Sequence, residues 1–216
     1  MLEGGIMVMF KKVSDNFLNK RLTATNIKKY LQENYNFGDT ITEVYRKQLS
    51  VPIFLQNNYG KEGDCTLTSV LTLTKFYNKS LDTNEVYNYI ENIAEKKYFY
   101  NGDSFGTIPF FNRAIINETC AHFGIKRDFK TGYLKGVGFN LNSIIQLIND
   151  NTPIMISMFK DGRKYYDSHT ITIVGYVIYE DENHKQQVML QVYDNWHSSY
   201  SFLDYNLVCN ISMICY

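Results

Sequence analysis

Apolar residues recur at helical spacing through roughly the first 150 positions of the chain and at strand spacing afterwards. Between Ser14 and Tyr35, polar starts followed by Phe17, Leu18, Leu22, Ile27 and Leu31 predict one or two helices. Val51-Pro-Ile-Phe-Leu-Gln56 is short, apolar and β-leaning, with its proline at the start, where a missing ladder donor matters least. Asn57 to Asp64, with Gly60 and Gly63, reads as a loop. From Cys65 to Tyr77 the residues Leu67, Val70, Leu71, Leu73 and Phe76 mark a buried helix, with Asp64 in the N-cap position. Asp82-Thr83 opens a second helix reaching about Lys96. Thr107 and Pro109 open a third that ends near Gly124, and Asn140 caps a last one from Leu141 to Asn151.

The period then changes. Pro153 to Phe159, Thr170 to Tyr179 and Gln187 to Asp194 read as strands, the last two joined by the polar turn Glu180 to Gln186. Helices followed by an antiparallel sheet give α+β order. Without a repeat, low-complexity tract or flexible linker, the expected architecture is two subdomains sharing one cleft. Residues 1–50 form a helical lead-in, propeptide-like or packing, ahead of the main unit at 51–216.

Bulk properties narrow the picture a little. A chain of 216 residues with 44% hydrophobic content can bury a sizeable core. Lys plus Arg and Asp plus Glu both number 22, so no net field favours nucleic acid or an acidic membrane surface. The first ten residues place a short apolar run ahead of the lysines, the reverse of a secretory signal, and no stretch reads as a transmembrane span. Met1 to Gly5 reads as a truncation scar or tag remnant as readily as a native start, so localisation stays open, as does oligomeric state. Of the four cysteines, at 65, 120, 209 and 215, the last two are nearest in sequence. If Leu207 to Cys215 were a strand, six steps at about 3.3 Å would separate them by roughly 20 Å, beyond the ~7 Å limit for a disulfide. Free thiols are the expectation.

The candidate chemistry lies at element ends. A thiol at a helix N-terminus faces unpaired backbone N–H groups and the positive end of the helix dipole, both of which favour thiolate, so Cys65 is a candidate nucleophile as well as a candidate core residue. Strand alternation sets His169 on one face with Ile171, Ile173 and Gly175, and Asp194 on one face with Val188, Leu190 and Val192. Each polar group therefore ends an apolar row, as a core histidine and a turn carboxylate also would. If the hairpin is centred between 181 and 184, paired numbers sum to 362–368, and the residue opposite 169 falls between 362 − 169 = 193 and 368 − 169 = 199. Asp194 lies in that range. A carboxylate on one ring nitrogen would fix the histidine tautomer and leave the other nitrogen for the thiol proton. Asn195, on the opposite face, is the alternative orienting residue, and His197 the alternative base; His122 and His184 read as structural.

In this order the segments resemble the papain-like cysteine peptidases, and more closely the bacterial branch related to bacteriocin-processing, double-glycine peptidases. The resemblance runs from about Val51 to Asn195, through Val51 to Gln56, Asp64-Cys65, Leu141 to Met158, Ser168-His169 to Gly175-Tyr176, and Val192-Tyr-Asp194. It implies that Gln56 joins the Cys65 backbone N–H in an oxyanion hole, and that Trp196 shields the histidine. Three features depart from the family pattern: 65 − 56 = 9 positions between Gln56 and Cys65, Thr66-Leu67 after the cysteine, and 194 − 169 = 25 positions from His169 to Asp194. The expected activity is hydrolysis of peptide or amide bonds in a peptide or protein substrate, through a thioester, with neither metal nor organic cofactor implied. A Cys-His-Asp acyl transferase, transglutaminase-like or amide-forming, and an inactive papain-like binding module are the rivals.

Overall fold

The computed structural model describes residues 20–216 apart from 60, 62, 104–105, 135–138, 159–167 and 209–212. Phe17, Leu18, Phe159 and Cys209, which entered the sequence reading, lie outside the described residues.

The helices begin where local capping chemistry places them. Helix α1 is Ile27–Tyr35, α2 Cys65–Tyr77, α3 Thr83–Lys97, α4 Asn112–His122 and α5 Leu141–Asn149. The Asp82 carboxylate accepts from the Glu85 N–H at 2.8 Å, satisfying one of the amides that the first turn of α3 leaves open. At α5, Asn140 accepts from the Ser143 N–H at 3.2 Å and Ser143 Oγ accepts from the Asn140 N–H at 3.4 Å, a reciprocal capping box. Pro109–Phe111 forms a 3-10 turn that leads into α4.

The strands are β1 Ile41–Gln48, β2 Thr131–Tyr133, β3 Ile154–Met158, β4 His169–Asp181, β5 Gln186–Tyr193, β6 Ser201–Leu203 and β7 Met213–Cys215. They form an antiparallel sheet in the order β2-β7-β3-β4-β5-β6, with β1 also on β4. Strand β4 is its spine. One edge pairs with β3 over His169 to Ile173 and then with β1 over Gly175 to Asp181, while the other edge carries β5. Gly175 lies at this crossing, and a Cβ there would run into the Lys47 carbonyl oxygen and come within 2.8 Å of Gln191 Oε1.

Both faces of the sheet are covered, which explains why β3 is buried at every position and β4 at nearly every one. Alternation sorts the β3 side chains: Ile154 and Ile156 join the core that holds Ile144 and Ile148 of α5, whereas Met155 joins the core of Leu67, Leu71, Ile90 and Ile116 from α2, α3 and α4. A third cluster packs Ile27, Tyr30 and Leu31 of α1 against Val177, Met189 and Phe202 of the sheet. The protein is an α+β papain-like fold, a helical layer packed on an antiparallel sheet.

Two elements differ from the sequence expectation. Val51 to Leu55 has strand composition but finds no ladder; it runs as irregular chain into a 3-10 turn at Gln56–Asn58. The lead-in instead contains a strand, β1, so helices do not simply precede the sheet. Positions 42–46 of β1 are all exposed, which erases the alternation by which a half-buried strand is recognised. Among the described residues no helix is long and apolar enough to cross a membrane.

Leu71 is fully buried on α2, the helix that also carries Cys65. Leu71→Ala is expected to cost about 2–5 kcal/mol of stability, read as a shift of the denaturant midpoint. A shift below about 1 kcal/mol would mean that this layer is not the principal core.

Candidate active site

Cys65 is the first residue of α2 and is partly exposed, while the rest of the helix through Thr74 is buried. Asp64, in the N-cap position, does not cap the helix with its side chain. Its fully buried carboxylate instead accepts from the hydroxyls of Tyr87 on α3 and Tyr100. Burial pushes the carboxyl up, and the phenols donating to it hold back part of that rise. Tyr87 also stacks on Tyr59 at 3.9 Å, and Lys61 pairs with Glu91 at 2.6 Å. These contacts account for the wide Gln56–Cys65 spacing, because the intervening chain spends its extra length gripping α3 before returning to the helix start. Gly63 closes that return with a main-chain bond of 3.0 Å to Gly102. A Cβ on Gly63 would sit 2.8 Å from Gly106 Cα, so only glycine fits beside Asp64-Cys65.

His169 opens β4 and is 5% exposed. Its Nε2 lies 2.7 Å from the main-chain oxygen of Asp194, and the imidazole acts electrostatically on the Cys65 thiol. A carbonyl oxygen only accepts, so Nε2 carries a hydrogen and Nδ1 is the nitrogen able to take a proton from the thiol. Trp196 stacks on the imidazole at 3.8 Å and 19°. Burial by itself would push the Cys65 thiol up, but the His169 imidazole, with the Thr170 main chain and hydroxyl, brings it below its ordinary value. The buried thiols of Cys120 and Cys215 are pushed up by burial, to about 11 and about 12.

The strand register explains why a main-chain atom meets the imidazole. From Glu180↔Gln186 to Gly175↔Gln191 the paired numbers sum to 366, and after a shift between Ile173 and Gly175 the pair Thr172↔Tyr193 sums to 365. Continued, that register sets 365 − 169 = 196 opposite His169, which is the tryptophan that stacks on it. The Asp194 side chain, fully buried, serves the turn: Oδ1 accepts from the N–H groups of Trp196 at 3.1 Å and His197 at 2.9 Å, and Oδ2 from the His197 ring at 3.0 Å and Ser201 Oγ at 3.1 Å. Arg21 Nε lies 3.2 Å from the same Oδ2. Asn195, in left-handed backbone conformation, sends its amide nitrogen to within 2.9 Å of Cys65 O, Ser69 Oγ and Thr170 O, tying α2 to β4. Gln56 is buried, and its main-chain N–H bonds to Asn195 O at 2.8 Å, which holds it at the same turn.

Several contributors carried no sequence signal. Thr170 Oγ1 lies 3.0 Å from Thr66 Oγ1 and 2.7 Å from Ser157 Oγ, which accepts from Asn112 Nδ2 at 2.7 Å, so a buried polar chain runs beneath the thiol from α2 to α4. Arg21 comes from the lead-in. His122 stacks on Tyr89 at 3.8 Å, and His184 pairs with Glu180 at 2.9 Å. Among the described residues no group of three His, Cys, Asp or Glu side chains could hold a metal ion.

A model of the Peptidase_C39-like family matches residues 48–206, which takes in Cys65, His169 and Asp194. The chain belongs to the Peptidase_C39-like family. Membership brings a relationship to the bacteriocin-processing peptidases and, in general terms, a cysteine-peptidase-like function. The matched region begins at the last residue of β1, so α1 and nearly all of β1 precede it. No curated protein matches the chain.

The thiols of this family member should differ sharply in reactivity. Limiting iodoacetamide near neutral pH is expected to label Cys65 at least tenfold faster than Cys120 or Cys215, because the thiolate is the reacting form, as read by peptide mass spectrometry (~tenfold per unit of thiol acidity). Equal rates would remove the activated thiol.

Proposed function

We propose that this Peptidase_C39-like protein is a cysteine peptidase that cleaves peptide or amide bonds through Cys65, His169 and Asp194. The observation that carries the reading is one imidazole that helps hold a thiol at a helix start below its ordinary value and is fixed through Nε2 to the Asp194 carbonyl. Asp194 then orients the base through its main chain, while its carboxylate builds the turn that supplies that carbonyl. Asn195 and His197 take other roles, since the Asn195 amide braces α2 and β4 and the His197 ring faces the Asp194 carboxylate.

In the reaction Cys65 Sγ attacks the substrate carbonyl carbon as His169 Nδ1 takes the thiol proton. The tetrahedral oxyanion is met by the Cys65 main-chain N–H, at the positive end of α2, and by the Gln56 amide. Collapse of the intermediate breaks the C–N bond, and the proton passes from His169 to the leaving amine. Water, deprotonated by His169, then attacks the thioester, and Sγ leaves as its proton returns from the imidazole. The stacked Trp196 keeps water from competing for the His169–Asp194 bond.

Two variants test the assignment with a peptide library read by mass spectrometry. Cys65→Ala is expected to abolish cleavage, and Gln56→Ala to lower kcat on the order of 10²–10³-fold with KM little changed. Turnover that survives Cys65→Ala would overturn the nucleophile, and a wild-type chain that binds peptides without cleaving them would identify an inactive binding module. Added amines are expected to leave hydrolysis as the main outcome; amine adducts as the main product would indicate an acyl transferase.

A further inference from the structure

The Asp194 carboxylate is fully buried, and its partners differ in how constant their charge is. Ser201 and the two main-chain N–H groups are neutral donors. Among the described residues the groups of variable or fixed charge that the structure sets against it include the His197 ring on the same turn, 39% exposed, and the Arg21 guanidinium from the lead-in, 17% exposed; His169 on β4 meets the adjacent carbonyl and acts on Cys65 of α2. A histidine offers a cation only while protonated, whereas a guanidinium is always charged.

The attachment of Arg21 is specific. Nε donates to Ser201 Oγ at 2.6 Å, and Ser201 Oγ in turn donates to Asp194 Oδ2 at 3.1 Å. A terminal nitrogen donates to Ser199 O at 2.6 Å, Ser199 Oγ at 3.1 Å and Tyr200 O at 3.3 Å. The next residue, Leu22, accepts from the Phe202 N–H at 2.8 Å, and Tyr30 and Tyr35 of α1 both donate to Asp204, just past β6. The lead-in is therefore strapped along β6 at three successive points, with its cation delivered to the carboxylate behind the histidine.

We propose that Arg21 is a positioning residue for His169: it supplies a permanent counter-charge for the buried Asp194 carboxylate and thereby holds the Asp194 carbonyl on Nε2 and Trp196 on the ring, whatever the protonation of His197. Residues ahead of the family match thus complete the site. This rests on the peptidase reading above.

The test uses the full chain as wild type, Arg21→Lys, Arg21→Gln and the double variant Arg21→Gln/Asp194→Asn. Peptide cleavage and the iodoacetamide rate of Cys65 are followed from about pH 5.5 to 9, the range over which an imidazole changes charge. For Arg21→Gln, kcat and the Cys65 labelling rate relative to wild type are expected to fall by about 10- to 100-fold at the alkaline end, and by much less at the acid end, where His197 can supply the cation; KM changes little. Arg21→Lys should keep the wild-type profile shape, and the double variant, which removes the anion, should lose the added pH dependence. A folded Arg21→Gln chain with the wild-type profile, or one reduced by the same factor at every pH, overturns the proposal. Should Arg21→Gln fail to fold, the other two variants decide, and an alkaline loss in either the lysine or the double variant overturns it. A wild-type chain without turnover and without preferential Cys65 labelling is a different result: it removes the peptidase reading, and this proposal with it.

Discussion

The burial of the Asp194 carboxylate is the constraint on which the rest of the site depends. An ionised group with no solvent must collect enough donors to replace its hydration. Among the described residues it accepts from Trp196 and His197, from Ser201 of β6 and from Arg21, and each choice has a structural consequence. Bonds to the N–H groups of 196 and 197 curl the chain immediately after β5. That curl brings Trp196 across the imidazole and turns the Asp194 carbonyl toward Nε2. Bonds to Ser201 and Arg21 fasten the short strand β6 and the lead-in to the same point. Losing one partner would leave a buried charge underpaired, which costs far more than an average hydrogen bond contributes.

The interface between helices and sheet is apolar over most of its area and polar at one end. Near Cys65 it is built from hydroxyls and amides: Thr66, Thr170, Ser157 and Asn112 in one chain, and the Asn195 amide among the carbonyls of Cys65 and Thr170. Apolar packing is non-directional and would tolerate a sliding of α2 against β4. Directional bonds at both ends of the Cys65–His169 pair do not. The three apolar clusters therefore supply the stability, while the polar end sets the register between the nucleophile-bearing helix and the base-bearing strand.

What could be read from sequence follows from how local each cause is. Helix starts at Asp82 and Asn140 depend on residues three apart and were legible. Cys65 and His169 were legible because element ends can be located from a change in hydrophobic period. Strand β1 was hidden because a run of its residues, apolar and charged alike, is exposed, and Val51 to Leu55 misled because apolar composition is not pairing. The role of Asp194 was only half visible: side-chain periodicity says where carboxylates point and nothing about carbonyls, and the hairpin register, with paired numbers summing to 366 and then 365 where 363 would be needed, sets Trp196, not Asp194, opposite His169. Arg21 meets Asp194 across 194 − 21 = 173 positions, and no local pattern encodes such a contact.

The use of a carbonyl as the acceptor for Nε2 also redistributes the electrostatics. A carboxylate on the imidazole would both fix its tautomer and offset a full positive charge on the ring, whereas a carbonyl fixes the tautomer with only a partial charge. The thiol is nonetheless held below its ordinary value against the burial that raises it, through its contacts with His169 and Thr170, and the N-terminus of α2 acts in the same direction. In this arrangement the activation of the nucleophile belongs mainly to donors arrayed around sulfur, and the Asp194 turn contributes geometry. The separation is consistent with the placement of the groups: those around Cys65 come from α2 and β4, inside the region shared with the Peptidase_C39-like family, while the cation that steadies the turn comes from outside it.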